Sequence, residues 1–462
     1  MNDKQIPIPA SIGSTVSLAT APAAGLKRAN SLASVASLSL AASLTLGTAA
    51  ALAQGLPMAG PEAVGFSAER LGRVDALVEG AIADDQIAGA VALIARDGQI
   101  AHFSAYGMAD IDDGEAMQTD TIFRFASMTK PITSFAVMML YEEGHFLLNE
   151  PVSRYIPELG NLTVLSTEGK GSVPAENQIS IHDLLTHTSG LSYRFIAQGA
   201  GPAELARQYI EAGVSDGLTQ TEGVIADLPG QLTQAPLLFE PGTQYAYGLS
   251  IDVLGRLVEV VSGMTLAEFF ETRIFDPLGM DDTAFFIDSE TADERLASVY
   301  SNGPDGSLIE LGPEPIVLDT LVYSASFHYY GPQTYYSGGA GLVSTAGDYA
   351  RFLQLMLNGG ELDGVRLLSP KTVEFMTRNQ IGDLDVAPGM KFGLGFGVIE
   401  DPGRMGETQS EGNYNWGGFF NTSFFVDPSE RMFAIMLTQR FPGDETNVRD
   451  KFVSAIYQAL VE

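Results

Sequence analysis

Strand-like segments at both ends of this 462-residue chain, separated by a helical middle, constrain its fold more than any other feature. Near the N-terminus, GAVALIARDGQIAHFSAYG (89–107) reads as two strands around Arg96-Asp97-Gly98, a hairpin signal. Near the C-terminus, FGLGFGVIE, NWGGFFNTSFFVDP and RMFAIMLTQ read as further antiparallel strands. Helical spacing marks SAERLGRVDALVEGAIA (67–83), with Ser67 as its N-cap, SMTKPITSFAVMMLYEEG (127–144), AGDYARFLQLMLNGG (346–360) and the C-terminal VRDKFVSAIYQALVE. The middle is loops and helices: SIHDLLTHTSG, GPAELARQYIEAG, SIDVLGRLVEVVSG and TLAEFFETRIFDPLG. The stretch 300–340, rich in Gly, Pro, Ser and Tyr, reads as a long loop. The expected fold is α+β: one antiparallel sheet built from both termini and flanked by helices, with a mostly helical insertion. The domain reading is 54–150 with 331–462 for the α/β part and 151–330 for the insertion. GLGFG (393–397) opens no helix, so it reads as close packing in a strand rather than as a nucleotide loop.

Composition removes several functions. Cysteine is absent, which excludes disulfides, thiol catalysis and cysteine metal sites. None of the five histidines forms an H-E-x-x-H pattern, and His182 and His187 are too far out of phase to share a helix face. No metal and no other cofactor is expected. With 57 acidic against 25 basic residues, a net charge of -32, the surface repels nucleic acid and offers no basic patch to anionic lipid. Residues 1–53 read as an export signal: Lys27-Arg28, then SLASVASLSLAASLTLGTAAALA ending in a small-x-small site. That places the mature protein in the periplasm or outside the cell, or in the cytoplasm if the segment is a leader of another kind. No other apolar run reaches the roughly 20 residues that span a bilayer, so no membrane span is expected in the mature protein. Oligomeric state is not readable.

The chemistry starts at FRFASMTKPITS (123–134). Only seven lysines occur, and Lys130 lies one helical turn after Ser127 among Phe123, Phe125, Ala126, Met128, Ile132 and Phe135. A serine hydroxyl needs a base before it attacks, and apolar flanks make an amine a better one. The pair also fits an N-cap serine followed by a surface lysine. In FEPGTQYAYGLSIDVLG, Tyr245 and Tyr247 precede a helix; either could serve as a phenolate-type base or as packing. NWGGFFNTSFF holds the chain's single tryptophan, Trp416, beside Gly417-Gly418. Adjacent glycines admit a close ligand, and an N–H there could join that of Ser127 in an oxyanion hole; a bulge in an edge strand fits too.

In this order and spacing the segments resemble the serine β-lactamase-like superfamily, which includes penicillin-binding proteins. The resemblance is closest to the family VIII carboxylesterases, which are similar to class C β-lactamases. It runs from about residue 60 to the end and includes IFRFASMTKPIT, ISIHDLLTHTSGLSY, FEPGTQYAYGLSIDVLG, YYSGGAGLVSTAGDYARFLQLMLNGG and WGGFFNTSFFVDP. The resemblance implies that Ser127 is the acylated nucleophile, Lys130 its proton-accepting partner and Tyr247 the tyrosine of the Tyr-x-Asn element. It implies that Trp416-Gly417-Gly418 stands where the family has Lys-Thr-Gly, with the second oxyanion N–H on Phe419. The chain departs twice: Tyr247-Gly248-Leu249 lacks the Asn, and Trp-Gly-Gly lacks the Lys and Thr. Tryptophan in place of a lysine removes a partner for a carboxylate and adds an apolar wall, which favours a neutral ester. The expected function is a serine hydrolase of short-chain carboxylic esters, a small-molecule substrate, without an α/β-hydrolase nucleophile elbow. The pocket is expected to hold Trp416, Gly417, Gly418 and Tyr245; the aromatics of YSASFHYYGPQTYY (323–336) either line it or pack their own loop. Alternatives on the same scaffold are a β-lactamase, a D-amino-acid peptidase, an acyltransferase or a catalytically silent binding module.

Overall fold

The computed structural model describes residues 55–166, 171–196, 203–443 and 446–462. The leader reading of 1–53 lies outside the described residues. Strand β1 (Gly89–Arg96) turns through Asp97 and Gly98, at φ 54° and 75°, into β2 (Gln99–Asp110). Two successive positive φ values make the two-residue turn whose twist matches antiparallel strands, and the Asp-Gly pair supplies them. The short β3 (Glu115–Ala116) follows on the edge beside β2.

The other strands come from the far end of the chain: β4 (Met390–Phe392), β5 (Gly397–Ile399), β6 (Tyr414–Gly417), β7 (Ser423–Asp427) and β8 (Met432–Leu437). The sheet order is β4-β5-β6-β7-β8-β1-β2-β3, antiparallel throughout. β8 pairs with β1 in the register Val91↔Leu437 to Arg96↔Met432, so the two ends of the chain meet in mid-sheet. The fold is the expected α+β arrangement.

Both central strands are buried on both faces, and the period of two divides their side chains between two cores. Val91, Leu93 and Ala95 face the larger core with Phe433, Ile435 and Leu437. Ala90, Ala92 and Ile94 face the smaller one with Met432, Ala434 and Met436. Two helices cover the smaller core. α1 (Ala68–Ala83) starts at Ser67, whose hydroxyl accepts the Arg70 N–H at 3.3 Å, and it buries Leu71, Val74, Val78 and Ala81. The last helix, Val448–Tyr457, buries Val448, Phe452 and Ile456 beside it. The larger core holds α2 (Thr129–Glu142), buried over nearly its whole length, against α3 (Ser250–Ser262). It also holds α4 (Ala346–Leu357), which packs on β8 and β1.

Two local expectations change. The stretch 300–340 is not one long loop: it opens with hairpins Tyr300–Asn302/Leu308–Glu310 and Ile316–Leu318/Leu321–Tyr323. Their strands are three residues long, and the turn-rich residues between them hide the alternation that longer strands display. All of GLGFG but its last glycine is a connection rather than a strand, because β4 ends at Phe392 and β5 begins at Gly397. Among the described residues, no helix is long and apolar enough to cross a membrane.

Candidate active site

Ser127 lies in a single turn, Ala126–Met128, immediately before α2. Ala126 has φ 42°, a left-handed value that costs a non-glycine residue roughly 1–3 kcal/mol. The neighbouring chain holds it there. Phe125 N–H donates to Leu342 O at 2.9 Å, Leu342 N–H donates to Thr129 Oγ1 at 3.0 Å, and Tyr349 OH donates to Met128 O at 3.0 Å. The result is a serine presented at a fixed angle at the mouth of a buried helix.

Lys130, one turn on, is fully buried. Its ammonium donates to Ser127 Oγ at 3.1 Å, to Tyr193 OH at 2.9 Å and to the Gly339 carbonyl at 2.7 Å. Those are the three donors an ammonium has, each with one acceptor. Tyr247 OH lies 2.7 Å from Ser127 Oγ, and the Lys130 nitrogen sits 4.7 Å from the Tyr247 ring centre. Ser127, Lys130 and Tyr247, drawn from two distant segments, thus meet around one oxygen. A nucleophile within hydrogen-bond reach of an amine and a phenol is the arrangement that acyl transfer through a serine requires.

Tyr193 and Gly339 complete this cluster, and sequence reasoning assigned them no role. Both lie in the segments that carry the family resemblance, ISIHDLLTHTSGLSY and YYSGGAGLVSTAG, which was the available signal. Burial, and then the nearby charges, push the Tyr193 hydroxyl well above its ordinary pKa, so it stays a neutral acceptor for Lys130. Behind Tyr247 stands His187, fully buried and held well below its ordinary pKa by burial and by the Lys130 charge. It packs as a neutral ring 4.8 Å from Tyr247 and 5.3 Å from Phe392.

Trp416, Gly417, Gly418 and Phe419 line the same cavity as Ser127, together with Tyr193, Phe195, Leu218 and Tyr247; its volume is about 480 Å³. Trp416 sits 5.4 Å from Tyr247 and 5.1 Å from Phe392, ring centre to ring centre. A side chain at Gly418 would collide with the Phe125 carbonyl and with Thr422 Oγ1, so only glycine lets the end of β6 lie against the turn that carries Ser127. Phe419, the next residue, lines the cavity with Ser127. β6 is an interior strand between β5 and β7, so an edge-strand bulge is not the reason for the glycines.

Tyr245, expected in the pocket, and the 323–336 aromatics both fall outside the cavity lining. Tyr245 is not on the cavity wall: its ring packs on His187 and Phe392, one place behind Tyr247. None of the 323–336 aromatics lines the cavity either. Tyr323 stacks behind Phe419 and Phe441, at 5.4 and 4.6 Å, so Phe419 and Phe195 stand where that loop would have lined the wall. The chain also holds one Gly-x-Ser-x-Gly string, Gly213–Gly217, that the sequence reading passes over. It lies in a loop, with no strand leading in and no helix leading out. Ser215 Oγ there is taken by Thr221 Oγ1 at 2.8 Å and the Gly217 N–H at 3.1 Å, so it is not a nucleophile elbow. Among the described residues no three histidine or acidic side chains are grouped to hold a metal ion.

Comparison with known proteins places this geometry. A family model described as β-lactamase matches residues 74–458. Esterase EstB of Burkholderia gladioli is 36% identical over 374 residues, 79% of this chain and 89% of EstB. Among solved structures, EstCE1, described as a hydrolase with promiscuous acyltransferase activity, superposes with a TM-score of 0.73 at 30% identity, covering 84% of this chain and 99% of EstCE1. A simvastatin synthase variant from Aspergillus terreus gives 0.65 at 26% identity, covering 84% and 98%.

Proposed function

The chain belongs to the β-lactamase family, and we propose that within it this protein is a carboxylesterase that carries its acyl group on Ser127. The observation that carries the reading is the placement of Ser127 Oγ between Tyr247 OH at 2.7 Å and Lys130 Nζ at 3.1 Å, beside an apolar wall made by Trp416. EstB and EstCE1, an esterase and a hydrolase by description, support it.

The chemistry then runs as an acyl transfer. Ser127 Oγ attacks the ester carbonyl while its proton passes to the Lys130–Tyr247 pair, which in the attacking form carries one proton fewer than an ammonium plus a phenol. The backbone N–H groups of Ser127 and Phe419 hold the oxyanion. Collapse expels the alcohol, which takes the proton back from the pair. Water, its proton accepted by the same pair, attacks the acyl-enzyme; the bond to Ser127 Oγ breaks, the acid leaves, and the pair returns the proton to Ser127. Phe195, Leu218, Trp416 and Phe419 give the substrate apolar contacts, with tryptophan where the family has a lysine, so a short, neutral acyl ester is the preferred substrate although Arg449 also lines the cavity.

Two measurements test this. A fluorophosphonate should add once to the folded protein, by intact mass, and not to Ser127→Ala. No adduct, or one that persists in Ser127→Ala, leaves a silent binding module as the better reading. The kcat/KM for p-nitrophenyl butyrate should exceed that for a chromogenic cephalosporin by at least about 10². The reverse order would make the protein a β-lactamase.

A further inference from the structure

Asp252 is fully buried in the first turn of α3, outside the cavity. Its Oδ1 accepts the Ser337 hydroxyl at 2.6 Å and the Gly339 N–H at 3.1 Å. Gly339 in turn offers its carbonyl to Lys130 at 2.7 Å. A single residue is therefore held by Asp252 on one side and holds the Lys130 amine on the other. Thr133, on the next turn of α2, grips the adjacent Gly338 carbonyl at 2.6 Å, so this segment is fixed from two helices.

The second carboxylate oxygen, Oδ2, is buried without a hydrogen-bond partner. An oxygen left in that state is costly unless a positive charge faces the group. The cation that faces Asp252 is Lys130. Arg194 is engaged elsewhere, at 3.0 Å from Asp216. The remaining ionisable groups around the pair are Tyr335 and Asp216 towards Asp252, His187 and Tyr247 towards Lys130, and Tyr193 towards both. Burial raises the Asp252 pKa above its ordinary value, and Lys130, followed by the hydrogen bonds from Ser337 and Gly339, works against that rise in favour of the carboxylate.

We propose that Asp252 is a positioning residue for the reaction at Ser127: through Gly339 it aims the Lys130 amine at the serine, and its buried charge stabilises that amine's protonated form. The proposal rests on the reading of Ser127 and Lys130 given above.

The test uses Asp252→Asn in the full chain, which keeps both acceptor contacts and removes the charge. Without the negative charge, protonated Lys130 is less stable. The affected flank of the kcat/KM profile then moves to lower pH, whether it is the acidic or the basic one. The kcat for p-nitrophenyl butyrate should fall by about 10–100-fold with KM within about threefold. Gly339→Ala, whose Cβ would collide with the Asp252 carboxylate, moves the charge without removing it and should shift the profile in the same direction. A folded Asp252→Asn, or in its place a folded Gly339→Ala, with normal kcat and an unmoved profile overturns the proposal. Ser127→Ala run alongside separates the two levels. If it stays active, the Ser127 reading fails; if it is dead while Asp252→Asn is normal, only this inference fails.

Discussion

The two sides of the cavity are built on opposite principles. On the serine side every Lys130 donor has an acceptor, between 2.7 and 3.1 Å, and the lysine is fully buried. On the facing side Trp416 and Phe419 present rings, and the Trp416 indole N–H is buried with no partner. Hydrogen bonds fix direction and charge, so the first side can be right in only one geometry. Apolar contact is non-directional, so the second side can accept a range of shapes at similar cost. The protein therefore holds its chemistry rigidly and its choice of substrate loosely. Substitutions on the serine side should cost all substrates alike, whereas those on the wall should change the ratio between substrates.

The largest effects test the first half of that contrast. Lys130→Ala and Tyr247→Phe should each lower kcat/KM for p-nitrophenyl butyrate by about 10² or more, and by similar factors for p-nitrophenyl acetate. Steady-state rates with the two esters check it. A near-normal rate in either variant removes that residue from proton transfer, and a loss confined to one ester would move it to the wall. Tyr193→Phe should cost less, about tenfold, because Lys130 keeps its contacts with Ser127 and Gly339. If Tyr193→Phe is as damaging as Lys130→Ala, the phenol takes part in moving the proton rather than in holding the amine.

The gap between these residues is also a gap in what the sequence made legible. Ser127 and Lys130 are three apart at a helix start, and a local period puts them together whatever the rest of the chain does. The strands at the two ends were legible for a like reason, as a short apolar run bounded by turn residues is a local signal. Tyr193, Gly339 and Asp252 come from three remote segments, and only the packing of α2 on α3 and of residues 337–340 on both makes them neighbours. Tyr245 and Tyr247 are equivalent on paper, two residues apart before one helix. Both pack on His187, and the structure separates them by what else each touches: Ser127 and Trp416 for Tyr247, Phe392 for Tyr245. The 323–336 aromatics stayed open between pocket and packing because composition says that rings are present, while the hairpin ending at Tyr323 decides which way they pack.

The smallest effects test the wall. Trp416→Lys exchanges an apolar face for a cation beside Tyr247. It should lower kcat/KM for p-nitrophenyl butyrate by about tenfold, the worth of one lost apolar contact, while the chromogenic cephalosporin loses less or gains, so that the ratio between them narrows. Trp416→Phe is the sharper variant. It keeps an aromatic face against Tyr247 and Phe392 and removes the indole N–H. If the wall selects through apolar surface alone, the ratio should stay within about threefold of normal, and the loss of a buried, unpaired donor should leave thermal stability unchanged or slightly raised. A narrowed ratio in Trp416→Phe as large as in Trp416→Lys would mean that the N–H finds its partner on the bound ester. The wall would then be directional after all, and the contrast between the two sides would reduce to when their hydrogen bonds form: before substrate arrives on the serine side, and with it on the tryptophan side.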